Sequence, residues 1–135
     1  MSLYKFNNLT PKVGQDCFIA DSADIIGDVQ LGDNVNVWFN CVLRGDIHKI
    51  VIGENTNIQD LSMLHVVENI PLIIGKNVTI GHQVTLHACT VEDSCLIGMG
   101  AIILDGAVIG KNSIVAAGSV VPPGKIYPEG SFIIG

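Results

Sequence analysis

The chain has 135 residues, 48% of them hydrophobic and 15% charged, with a formal charge of −6 at pH 7. That composition excludes a disordered chain, and only seven Lys and Arg in an acidic total exclude a nucleic-acid ligand. No apolar run approaches the roughly 20 residues that span a bilayer, and the opening Met-Ser-Leu-Tyr-Lys-Phe-Asn-Asn lacks the apolar stretch of a secretory signal, so a cytoplasmic protein with no membrane partner is expected.

Residues 1–12 read as a lead-in. From Val13 an aliphatic residue opens every six-residue unit: Val13, Ile19, Ile25, Leu31, Val37 and Leu43, then Ile52, Ile58 and Leu64, then Ile74, Ile80 and Leu86, then Val91, Ile97, Ile103, Ile109, Val115 and Val121. Four places further on stand mostly small residues, such as Cys17, Ala23, Cys41, Thr56, Ser62, Cys95, Ala101 and Ser119, as a narrow interior requires. So strict a short period marks a solenoid, in which each coil buries its apolar edge on its neighbours. With three units to a coil, the predicted fold is all-β: one single-stranded left-handed parallel β-helix domain of about six coils over residues 13–126. The four cysteines have no CxxC spacing and three occupy the small interior place, so they read as apolar filling rather than disulfides or a metal cluster.

The period breaks at three points. Extra residues are counted at Lys49–Val51 and at Ile70–Ile73, and the phase slips by one at Thr90–Val91. Each break follows the third unit of a coil, so all three should lie along one edge, where interruptions of a repeat collect function. Toward the end, Pro122-Pro123-Gly124 and Pro128-Glu129-Gly130 are expected to stop the strands, leaving residues 127–135 as a tail with no helix.

Indexing residues by unit and place reveals a column. Arg44, His65 and His87 each take the second place of the third unit in successive coils, so they should stack, with His65 and His87 one ladder spacing of about 5 Å apart. Two imidazoles so placed can grip one ion. His82 belongs to another corner, a flat face of up to about 20 Å away, too far to join the pair within one chain. A threefold trimer of parallel rods would carry it to the His65–His87 pair of a neighbour, one metal site per chain. Asp60 shares the column of His82 and should then meet Arg44 across the interface. Three neutral nitrogens with an open fourth position suit catalytic zinc. His48, in the segment bearing the first insertion, reads as an ordinary surface residue.

The motifs Val42-Leu43-Arg44-Gly45-Asp46, Asn57-Ile58-Gln59-Asp60, Met63-Leu64-His65-Val66 and Ile80-Gly81-His82 followed by His87 resemble those of the γ-class carbonic anhydrases and their relatives of unassigned activity, over residues 10–135. The resemblance implies that His65, His82 and His87 bind Zn2+, or Fe2+ or Co2+, at a homotrimer interface. It implies that Gln59 orients solvent at the ion, and that Arg44, Asp46, Asn57 and Asp60 hold the interface and the site. The reaction implied is reversible hydration of CO2 to bicarbonate. Two departures stand out. Ile47 occupies the place of a family glutamate after Arg-Gly-Asp, and the family's C-terminal helix is missing after Pro128-Glu129-Gly130-Ser131. Glu68, at the spacing of a second family glutamate, is the candidate proton shuttle. Whether the chain is an enzyme is left open by the sequence: a CoA-dependent acyltransferase on the same scaffold and a metal-bearing scaffold without catalysis are the rival readings.

Overall fold

The aliphatic register read from the sequence is the register of the observed ladder. The computed structural model describes residues 2–135; Met1, the first residue of the lead-in, lies outside them. The described residues contain strands and turns and no helix, and they wind into a parallel β-solenoid of about seven turns. Ile19, Val37, Ile58, Ile80, Ile97, Val115 and Ile133 pair one above another on one face. Ile25, Leu43, Leu64, Leu86, Ile103 and Val121 do so on the second. Leu31, Ile52, Ile74, Val91, Ile109 and Tyr127 make the third. Most strands have only two or three residues. Two longer ones, Asp24–Leu31 and Val42–Ile52, run around a corner and join the second and third faces into one 12-stranded sheet, while the first face is a 7-stranded sheet of its own.

The interior is the stack of these aliphatics, with Ile25, Leu43, Ile58, Leu64, Ile80 and Leu86 fully buried. The small place admits hydroxyls and thiols because a corner carbonyl of the next coil lies above it. Thr56 Oγ1 donates to the Gly75 carbonyl at 2.8 Å, Ser62 Oγ to that of Gly81 at 2.9 Å, and Cys95 Sγ to that of Gly110 at 3.1 Å. All four thiols are free, as expected of filling residues.

Glycines after the aliphatic residues do not supply left-handed backbone; Asn34, Asn55 and Asn77, with φ of 58°, 59° and 55°, do that. Gly53 is needed for clearance, since a Cβ there would stand 2.6 Å from the Gly75 carbonyl carbon one coil up.

The insertions also sit a few residues earlier than counted. Pairing changes from Gly27↔Gly45 to Val29↔Ile50, which places the first excursion at 46–49, and Val67 and Ile70 close a small antiparallel turn that forms the second. Ile50, Ile52, Leu72 and Ile74 stay in the buried ladder, so the more polar residues before them are extruded. Nor do the prolines stop the strands: Ile126–Tyr127 and Phe132–Ile133 pair with the coil below. Pro122, Pro123 and Pro128 fall in the turns between strands, and Gly124 and Gly130 take φ of +71° and +73° there, so the ladder survives.

Candidate metal centre

Met63–His65 and Thr85–His87 are neighbouring rungs of the second face, paired Leu64↔Leu86 and His65↔His87, with Arg44 opposite His65 on the rung below. In a parallel ladder residues at the same place point the same way. The two rings therefore meet at the strand ends, centroids 5.1 Å apart and planes inclined at 56°. His65 Nδ1 lies 3.1 Å from His87 Nε2.

The outer nitrogen of each ring is held by a carboxylate. His65 Nε2 lies 2.9 Å from Asp46 Oδ1, and His87 Nδ1 contacts Asp105 Oδ1 at 2.5 Å. Ionised carboxylates only accept, so the ring protons sit on the outer nitrogens, and in neutral rings both inner nitrogens carry lone pairs. Two lone pairs facing at 3.1 Å repel unless a proton or a cation lies between them. A cation about 2.0–2.1 Å from each nitrogen is compatible with that gap, and outer carboxylates are the usual support of metal-ligating imidazoles.

Asp46 also pairs with Arg44 and caps the Ile47 amide at 3.0 Å. Burial works against its ionisation, but the hydrogen bond from His65, the local amide and the positive charge of Arg44 outweigh it and hold the carboxyl below the ordinary aspartate range. It remains a charged support at neutral pH.

His82 stands in the turn after Thr79–Ile80, at the opposite end of the second face from the pair. Its Nδ1 lies 3.1 Å from Asp60 Oδ2, so it repeats the pattern of one nitrogen on a carboxylate and one to spare. Among the described residues no three His, Cys, Asp or Glu side chains of a single chain converge on a common point. Gln59, Asp60 and Asn57 gather around His82, with Trp38, in one surface pocket. Glu68 is exposed on the insertion edge and lines a cleft with Asp28, Asp46, Ile47 and His48. The structure thus brings His65, His87, Asp46 and Arg44 together at one corner and His82, Gln59, Asn57 and Asp60 at another. Arg44 meets Asp46 within the chain.

Asp105 and Trp38 went unnoticed in the sequence. Asp105 lies 18 residues beyond His87, one coil length, which a count by distance would have found. The column index hid it, because the slip at Thr90 moves it to a different place in its unit.

The family profile described as bacterial transferase hexapeptide (six repeats) matches residues 10–45 and 88–123. Gamma carbonic anhydrase 2, mitochondrial, of Arabidopsis thaliana is 47% identical over 88 residues, 61% of this chain and 32% of the relative. A carbonic anhydrase of Geobacillus kaustophilus is 49% identical over 81 residues, 60% of this chain and 44% of the relative. Among solved structures, a hexapeptide transferase family protein from Anaplasma phagocytophilum is 45% identical with a TM-score of 0.95, covering 99% of this chain and 79% of that one. The chain spans about a third of the length of the first of these curated relatives and under half of the second. Repeat register, corner chemistry and these matches agree that the chain belongs to the hexapeptide-repeat family, among the members similar to proteins named γ carbonic anhydrase.

Proposed function

We propose that the chain holds one divalent cation per subunit, zinc first with iron(II) or cobalt(II) as alternatives, at the interfaces of a cytoplasmic homotrimer, and catalyses the reversible hydration of CO2 to bicarbonate. The observation that carries this reading is the pair of facing lone pairs on His65 Nδ1 and His87 Nε2, 3.1 Å apart. His82 Nε2 of a neighbouring copy completes the donor set. When bound, the ion acidifies water enough to make hydroxide available near neutral pH.

The chain's residues do the remaining work. Asp46, Asp105 and Asp60 keep the proton on the outer nitrogen of each ring and fix its orientation. The Gln59 amide orients solvent beside His82. Glu68 takes up the released proton at its carboxylate and passes it to bulk water. Asp60 Oδ1, left over by His82, receives Arg44 of the next copy and locks the interface. Relatives named carbonic anhydrase at 47% and 49% identity support the reaction.

The likeness to a hexapeptide transferase favours an acyltransferase as the second reading. That chemistry needs one basic imidazole and gives no reason for two facing lone pairs. Metal analysis with stopped-flow CO2 hydration, on wild type and His87→Ala, separates the readings. We expect close to one ion per chain and hydration in the wild type, and loss of both in the variant. Acetyl-CoA turnover by metal-free protein would establish the second reading instead, and full metal content with no hydration would leave a scaffold.

A further inference from the structure

The pocket at the His82 corner contains a hydrogen bond that the proposed chemistry has not used. Trp38 Nε1 lies 2.7 Å from Asn57 Oδ1. Indole nitrogen can only donate, so this contact fixes which end of the Asn57 amide faces it: the oxygen is taken and the Nδ2 amine is turned away. That amine has no partner among the described residues, nor has the side-chain amide of Gln59, which lines the same wall. Trp38 is itself held, its ring packed against Phe18 with centroids 4.8 Å apart.

A pocket wall that offers a fixed N–H pair and a second amide beside a metal-ligand candidate is built to receive oxygen atoms. We infer that Trp38 is a positioning residue, acting through Asn57, whose Nδ2 donates to an oxygen of a small carboxylate-like anion, bicarbonate under the proposed function, on which this inference rests. Without the indole N–H, the Asn57 amide turns freely and offers its acceptor half the time, so donation to the anion weakens while the reacting centre stays intact. The effect therefore falls on binding rather than turnover.

Trp38 is the chain's only tryptophan, so its emission reports directly on the pocket. Metal-loaded wild type titrated with bicarbonate should show a saturable emission change that chloride at equal ionic strength does not produce. Asn57→Asp keeps an acceptor for Trp38 but carries no amine, and should lose that response. Trp38→Phe, which retains the ring against Phe18, should raise KM for bicarbonate about fivefold at unchanged kcat, the size expected for one neutral hydrogen bond. A wild-type emission response and wild-type KM in Asn57→Asp would overturn the inference, because a purely structural Trp38–Asn57 bond survives that substitution. The two readings fail separately. Saturable emission lost in Asn57→Asp, without CO2 hydration by the wild type, supports the anion site and removes the proposed reaction. Hydration with an unaffected Asn57→Asp removes the anion site and leaves the reaction standing.

Discussion

Two imidazoles whose outer nitrogens are both tied to carboxylates cannot hydrogen-bond to each other as neutral rings, and a cation between His65 and His87 would relieve this local frustration. The supporting carboxylate should matter nearly as much as the ligand. Asp105→Ala is expected to lower zinc affinity 10- to 100-fold in competition with a chelator, leaving the circular dichroism of the fold unchanged. The cysteines make the opposite kind of prediction. Burial pushes the Cys89 thiol up to about 12, so the unfolded chain loses this proton at lower pH than the native one. The stability tied to it is complete below roughly pH 9 and drains away as pH rises toward 12, by the linkage of proton binding to unfolding. Urea midpoints should fall through that window and fall less in Cys89→Ala. The histidine pair was legible in the sequence because a parallel ladder preserves a residue's place from coil to coil. Asp105 was not, since a one-residue slip broke the index between it and His87, and Trp38–Asn57 was not, since nothing in the repeat marks which outward side chains will touch.

At the scale of the single coil, the period states which residues are buried and leaves open how corners and excursions are built. The aliphatic ladder came through unchanged because any shift in register would expose an Ile or Leu on every face. Ile58→Ala, at a fully buried rung, should cost about 2–5 kcal/mol in chemical denaturation. Gly53→Ala should cost about 1–3 kcal/mol as overpacking, although no left-handed φ is involved, because its Cβ would press on the Gly75 backbone. Counting alone put the insertions a few residues late. The chain extrudes the mostly polar stretch 46–49 and the Val67–Ile70 turn, keeping Ile50 and Leu72 inside. A proline in a turn costs no ladder hydrogen bond, so the coil continues past Pro122, Pro123 and Pro128 through Phe132–Ile133.

Over the whole molecule, the second face carries the His82 corner at its start and the His65–His87 corner at its end, and its outward residues Met63, Ile102 and Val120 are 38%, 36% and 47% exposed. In the proposed trimer this face turns toward the threefold axis. Ile102→Glu should then give a monomer in sedimentation and lose the metal with it. The central claim, that each ion is gripped by imidazoles from two copies, is tested most directly by complementation. His82→Ala and His87→Ala are purified separately, then unfolded together and refolded as an equal mixture, and their metal content is measured. Each variant alone should be empty. The mixture should recover metal at roughly a quarter of the wild-type content, the share of interfaces at which an intact His65–His87 pair meets an intact His82 in random trimers. A mixture as empty as its parents, beside a metal-loaded wild type, or full occupancy in His82→Ala alone, would contradict it.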